Sequence, residues 1–299
     1  MKILVTGGAG FIGSNLVHDL VEENHEIIVV DNLSTGSLNN ISDVMDKIKF
    51  IETSCSEVSK IKELEGLDEI YHYGIPSTTK LYRDDRSLVG HAVNEFTEIL
   101  ELAKREECKI IYASSSSVYN GNIPPFHEEM TVHVKDFYTE ARYLMERMAK
   151  IYYDFYGVRS IGFRFFSVYG PREEAKKDFA NLISQFMWDL KAGRSPLIYG
   201  DGTQTRDFTF VDDINEGFRL GMKNEIDCDV FNLGTGDCYS LNELVDILNE
   251  ILETDIKPVY KENPIQNYVE ATLADTSKAK EHIDFEATIS LRDGIKKIV

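Results

Sequence analysis

An apolar run, Ile3 to Val5, breaks into Gly7-Gly-Ala-Gly10-Phe-Ile-Gly13 and then into a helical pattern from Ser14 to Glu22. This feature constrains the chain more than any other. A buried strand must turn sharply at Gly7, bring its backbone close to a ligand at Gly10, and pack a helix tightly at Gly13. The helix N-terminus then offers free N–H groups to an anion such as a pyrophosphate. A second strand, residues 26–30, runs into Asp31. A carboxylate at that place accepts hydrogen bonds from both hydroxyls of an adenosine ribose and repels a 2′-phosphate, which favours NAD over NADP.

Strand-like runs at residues 49–52, 69–73, 109–113 and 160–165 alternate with helical patterns near 40–47, 89–107 and 138–156. Such alternation gives an α/β, doubly wound parallel sheet with helices on both faces, and its ligands bind at the carboxyl ends of the strands. The chemically unusual residues fall at those ends: 7–13, Asp31, 74–79, 114–117 and 166–171. From Val168 the texture changes to short apolar pieces, a glycine turn at 199–203 and a helix at 241–252, which predicts a smaller α+β lobe. Residues 207–213 and 229–233 read as strands returning to the main sheet. The expected division is 1–166, with 207–233, as the dinucleotide domain, and 167–206 with 234–299 as the second lobe.

The formal net charge is −19, with the acids spread along the chain, which argues against nucleic acid and anionic membrane as partners. An anionic ligand therefore needs a local basic island. Cys55, Cys108, Cys228 and Cys238 form no C-x-x-C pair and read as reduced thiols. The chain enters a core strand at once, so no signal peptide is expected, and it has no apolar run long enough to cross a bilayer. A cytoplasmic protein is expected, with no metal site.

The strand at 109–113 runs into Ser114-Ser115-Ser116-Ser117, and Phe137-Tyr138-Thr139-Glu140-Ala141-Arg142 opens a helix further on. Residues four apart share a helix face, so Tyr138 and Arg142 point to one place. A cation beside a phenol makes it a usable base, and a serine can bond the same substrate oxygen. Beside a nicotinamide, these groups suit an alcohol–ketone interconversion.

With these residues, and with Asn94, Glu146, Arg164-Phe-Phe-Ser-Val-Tyr-Gly-Pro171, Gly200-Asp-Gly-Thr-Gln-Thr-Arg-Asp207, Asn232-Leu-Gly234 and Ala274-Asp-Thr-Ser-Lys278, the chain resembles the extended short-chain dehydrogenase/reductase family. Within it, the likeness is to the NAD-dependent nucleotide-sugar epimerases and dehydratases, closest to UDP-hexose 4-epimerases. The resemblance covers nearly the whole chain and implies a Rossmann domain and a nucleotide-sugar lobe. It implies that Gly7, Gly10, Phe11, Ile12 and Gly13 hold the NAD pyrophosphate. Asp31 and Asn32, with Ser34, Thr35 and Gly36 nearby, would hold the adenosine ribose. Lys80 and Asn94 would line the nicotinamide side. Ser115, with Ser116 beside it, would be the hydroxyl partner, and Tyr138 the base beside Arg142. Ser167, Asn181, Tyr199, Arg206 and Thr272 would meet the substrate. Thr6 and Glu146 would be structural.

Four positions depart from the family pattern. Arg142 stands at the lysine of Tyr-x-x-x-Lys, and Ser167 stands for an asparagine. Ile265 stands where many hexose epimerases carry a second phosphate-binding arginine. Ser54 stands where an aspartate often contacts adenine, leaving apolar contact to hold that base. Family dehydratases and decarboxylases place an acid just after the catalytic hydroxyl, whereas Ser116 and Ser117 stand here, which favours a 4-epimerase. Thr272 stands at a pocket-gating position. A small residue there admits N-acetyl groups, so UDP-N-acetylglucosamine/UDP-N-acetylgalactosamine come first and UDP-glucose/UDP-galactose second. Two other functions fit: a related nucleotide-sugar oxidoreductase that releases its cofactor, and a catalytically silent protein that binds NAD and nucleotide sugar. The apolar stripe Tyr143, Met148, Ile151, Tyr152 and Phe155 reads as a packing face and, with the helix near 94–102, as the seam of a homodimer. His72 reads as a core histidine.

Overall fold

The computed structural model of the chain describes residues 1–264 and 268–299. Ile265 therefore lies outside the described residues. Seven strands form one parallel sheet: β1 (Lys2–Thr6), β2 (Glu26–Asp31), β3 (Ile48–Glu52), β4 (Glu69–His72), β5 (Lys109–Ala113), β6 (Ser160–Phe165) and, after the short β7 (Leu197–Tyr199) and β8 (Thr205–Arg206), β9 (Cys228–Leu233). Their order is β3-β2-β1-β4-β5-β6-β9. The central strands are near-continuous apolar runs, as burial on both faces demands. The chain order reverses direction across β1 and β4, and the cleft opens there at the carboxyl ends of the strands.

Helices α1 (Phe11–Glu22), α2 (Thr79–Asp84), α3 (Leu88–Glu106), α4 (Phe137–Tyr156), α5 (Leu182–Lys191) and α6 (Val211–Lys223) are followed by β10 (Tyr239–Ser240), α7 (Leu241–Leu252), β11 (Val259–Lys261), α8 (Ser277–Ile283) and α9 (Leu291–Ile298). Helices α3 and α4 cover one face of the sheet through Phe96, Ile99, Leu100, Ala141, Met145 and Ala149. The other face is covered by α1, α6 and α8 through Leu16, Leu20, Ile214, Phe218 and Ile283. A separate apolar cluster joins α5, α7 and α9, with Ile183, Phe186, Leu244, Leu248 and Ile295 at its centre. Strand β8 pairs with β10, and β7 with β11, beside that cluster.

Two expected elements are different. Residues 40–47 are two short 3-10 turns, Leu38–Ile41 and Met45–Lys47, rather than a helix, since Ser42 and Asp43 favour turns over a helix interior. Residues 207–213 are not a strand. They make one isolated bridge, Tyr169 to Phe210, and then enter α6, whose first turn carries Asp212 and Asp213. The apolar–polar alternation of Phe208, Thr209 and Phe210 in the sequence imitates a half-buried strand, but residues 207–211 are all buried, and Asp207 accepts from the backbone N–H groups of Thr235, Gly236 and Ala274. Residues 228–233 do join the sheet, pairing with β6.

Candidate active site

A cavity of about 500 Å³ lies at the carboxyl ends of the strands, within the range of ligand sites. One wall is the turn from β1 into α1. Gly7 has φ +67°, and a Cβ on it would come within 2.6 Å of Gly74 N. A Cβ on Gly13 would lie 2.3 Å from Gly7 O, so this turn admits no side chain there. The first turn of α1 has no side-chain cap, which leaves its N–H groups at the cavity. Asp31 ends β2 and is buried. Its Oδ2 accepts from Ala9 N at 3.0 Å and its Oδ1 from Leu33 N at 2.7 Å. Burial pushes its carboxyl above the usual range, opposed by those N–H donors. The carboxylate retains lone pairs for hydroxyls in the cavity. Asn32, Ser34, Thr35 and Gly36 line the same end.

The opposite wall comes from β5 and α4. Asp136 caps α4 by accepting from Thr139 N at 2.8 Å, which fixes Tyr138 on the first turn. Arg142 lies one turn on, with its guanidinium 4.9 Å from the centre of the Tyr138 ring. The expected shared face is therefore present, with the cation over the phenol ring. Tyr82 packs edge-on against the same ring at 5.6 Å. Arg142 is buried and donates through Nη2 to Pro76 O at 2.8 Å, while its Nε and Nη1 meet no acceptor among the described residues. Ser115 stands just past β5, its Oγ accepting from Ser117 N at 3.1 Å. Ser114, Ser115, Ser116, Tyr138 and Arg142 all line the cavity.

Beneath this wall runs a buried polar network. Ser114 donates to Glu146 Oε1 at 2.5 Å, and Arg164 grips Glu146 through Nε at 2.9 Å and Nη2 at 2.6 Å. Arg164 Nη1 reaches Tyr119 OH at 2.8 Å, and Tyr119 donates to Asn232 Oδ1 at 2.7 Å. The chain of contacts locks β5, α4, β6 and β9 into one register below the site. His72 is fully buried, 2.7 Å from Thr6 Oγ1 and stacked on Phe96. Burial, with the Arg142 charge second, pushes its pKa down to about 3, so it is a neutral core group.

Ser167 and Asn181 line the third side. Ser167 holds φ +28°, a left-handed conformation uncommon for serine, at the cavity wall. Asn181 caps α5 through Ile183 N and donates to Val168 O. Five expected site residues do not line this cavity. Lys80 is exposed, with its Nζ 5.1 Å over the Phe179 ring, and it is Phe179 that faces the cavity. Asn94 is exposed on α3, and Glu95 beside it faces inward. Tyr199 ends β7, Arg206 ends β8, and Thr272 lies beside β8, its N–H donating to Thr205 O. Arg206 stacks 5.2 Å over Tyr268, donates to Thr205 O, and has its pKa lowered by burial. Thr272 Oγ1 accepts from Asp207 N at 3.1 Å.

Lys176 lines the cavity and escapes the sequence reading, as do His91, Glu95 and Phe179. Lys176 sits in a charged, aperiodic stretch in which nothing distinguishes one lysine from the next. With Arg142 it makes the local basic island, held 2.8 Å from Glu173 and 5.3 Å over Phe11. The side-chain-free glycine cradle, the inward carboxylate of Asp31 and the two unspent donors of Arg142 fit a dinucleotide.

Residues 3–234 match the model of the NAD dependent epimerase/dehydratase family. A putative UDP-glucose 4-epimerase of Methanocaldococcus jannaschii is 33% identical over 310 residues, spanning 99% of this chain and 97% of its own. UDP-glucuronic acid decarboxylase 1 of Arabidopsis thaliana is 31% identical over 312 residues, spanning 100% of this chain and 69% of its own. Among solved structures, UDP-glucose 4-epimerase of Thermotoga maritima with UDP-glucose superposes with a TM-score of 0.93 at 31% identity, covering 99% of this chain and 97% of that one.

Proposed function

Because the chain belongs to the NAD-dependent epimerase/dehydratase family, we propose that it interconverts the C4 epimers of a UDP-sugar. The observation that carries this reading is the joint placement of Ser115, Tyr138 and Arg142 on one wall, with no acid at Ser116 or Ser117 to drive loss of water or carbon dioxide. The Gly7–Gly13 turn would hold the cofactor pyrophosphate and Asp31 the adenosine ribose, with Tyr138 and Arg142 at the nicotinamide end. Bound NAD supplies the hydride acceptor and donor for the sugar C4 carbon. Tyr138 takes the proton of the 4-hydroxyl, and Ser115 hydrogen-bonds the same oxygen. Tyr138 acts as the phenolate and becomes the phenol when it takes that proton, and Arg142 supplies the positive charge against the ring that favours the phenolate beforehand. The 4-keto sugar then turns its other face while Asn181 and Lys176, which line the cavity, retain the diphosphate, and Tyr138 returns the proton.

The likeness to hexose epimerases, in which this position gates the pocket, puts UDP-N-acetylglucosamine/UDP-N-acetylgalactosamine first and UDP-glucose/UDP-galactose second; Thr272 itself is buried and lies off the cavity. The smaller lobe, residues 167–206 and 234–299, would receive the nucleotide sugar. The same reading carries a cytoplasmic homodimer joined along α3 and α4, where Ile151 (43%) and Phe155 (76%) stand exposed. Among the described residues, no helix is long and apolar enough to cross a membrane.

The test is an equilibrium assay of the purified protein with UDP-N-acetylglucosamine and no added cofactor, read by NMR. UDP-N-acetylgalactosamine is the expected product. Its absence, repeated with UDP-glucose and with NAD added, overturns the 4-epimerase reading for these sugars. Arg142→Lys then separates an active site from a decayed one. The guanidinium is committed to Pro76 O and to the Tyr138 face, so lysine is expected to lower kcat/KM about tenfold or more. A large gain would mean that arginine had silenced the site.

A further inference from the structure

Resting on the NAD reading above, we propose that Glu95, held in place by Ser54, accepts a hydrogen bond from the exocyclic amino group of the cofactor's adenine and makes the site selective for adenine over 6-oxo purines. The sheet order sets where the base must lie. Asp31 ends β2, and β3 is its outer neighbour, so a base attached to a ribose at Asp31 extends toward the end of β3. There the chain stays at the cavity edge, because Thr53 N donates to Asp31 O at 3.1 Å, and both Thr53 and Cys55 line the cavity. Across from them α3 contributes Leu88, His91 and Glu95, spaced so that they share one helix face.

This slot has a base-sized apolar side in Cys55 and Leu88. Cys55 offers no reactive anion, since burial pushes its thiol well above the ordinary range. Beyond Asp31, the one carboxylate among the described residues lining this end is Glu95. It does not hang free. The Ser54 hydroxyl donates to Glu95 Oε1 from 41 residues away in the chain, and Ser54 Oγ accepts in turn from Ser56 N at 3.2 Å. The serine is thus fully spent on orienting the glutamate and does not itself face the cavity.

A carboxylate accepts hydrogen bonds and donates none. A 6-aminopurine brings an N–H donor to it, whereas a 6-oxopurine brings a second acceptor to the same point, leaving two lone pairs opposed. The site therefore reads the base through a charged acceptor, and apolar contact alone does not account for it.

The purified full chain is stripped of its resident nucleotide and then equilibrated with an equal mixture of NAD and nicotinamide hypoxanthine dinucleotide. The bound nucleotide is then released and identified by chromatography. NAD is expected to be bound in excess by about tenfold or more. Glu95→Val should bring the ratio near one, and Ser54→Ala should fall between. Equal binding of the two dinucleotides by the unaltered chain overturns the proposal, as does an unchanged ratio in Glu95→Val. Should Glu95→Val fail to fold, the ratio for the unaltered chain still decides. Retention of neither dinucleotide would instead sink the NAD reading, and this inference with it.

Discussion

Tyr138→Phe is expected to lower turnover by about 10²–10⁴-fold while leaving folding and dinucleotide binding unchanged. The substitution removes one oxygen atom and nothing else. The ring keeps its edge contact with Tyr82 at 5.6 Å and its place under the Arg142 guanidinium at 4.9 Å, so the packing of α4 is not disturbed. What is lost is the group proposed above to take the proton from the sugar 4-hydroxyl. Ser115 cannot replace it, because an unassisted serine hydroxyl is far too weak a base near neutral pH, and His72, on the neighbouring strand β4, is buried, neutral and off the cavity. The measurement is kcat on the preferred UDP-sugar, paired with a denaturant melt and with nucleotide content. Activity within about threefold of the unaltered enzyme would remove Tyr138 from proton transfer.

Glu146→Ala is expected to destabilise the fold by about 3–5 kcal/mol, the cost of leaving a buried guanidinium without its partner. Both side chains are only 5% exposed, and Arg164 spends two of its nitrogens on this carboxylate. The loss would reach further than one pair. Ser114 loses its acceptor, and the link through Arg164 to Tyr119 and Asn232 slackens, so the register between β5 and α4 loosens under Ser115 and Tyr138. Urea unfolding read by intrinsic fluorescence, with an unchanged slope, measures the effect. Tyr119→Phe, which removes one hydroxyl from the same network but no charge, is expected to cost about 1–3 kcal/mol. A Glu146→Ala loss below about 1 kcal/mol would mean that Arg164 finds another anion or reaches water.

The glycine turn, Asp31 at the end of β2, and the pairing of Tyr138 with Arg142 were legible before any coordinates because each depends on near neighbours in the chain. A backbone that cannot carry a Cβ declares itself as Gly7 and Gly13. A helix brings residues four apart together wherever it lies. The sheet was legible for the same reason, since β1, β2, β5 and β6 are apolar runs that only a doubly covered sheet can bury. Residues 207–213 misled because apolar–polar alternation in the sequence does not report whether the backbone finds a partner strand, and here the polar members Asp207 and Thr209 are buried as fully as Phe208 and Phe210. The inward turn of Asp207 was decided by donors from Thr235, Gly236 and Ala274, all distant in sequence.

Only the tertiary structure could decide which side chains enter the cavity. Glu95 faces inward and Asn94 outward because α3 is rotated by its apolar packing on the sheet, through Phe96, Ile99 and Leu100. Lys176 joins Arg142 as the local cation because its segment is laid over Phe11, while Lys80 is drawn aside by Phe179. Ser54 meets Glu95 across the cleft. Such pairings arise between elements far apart in the chain, where the rotation and register of each element are set by the core beneath it. Local chemistry therefore specified the glycine turn and the wall that carries Tyr138 and Arg142, and long-range packing specified what else lines the cavity.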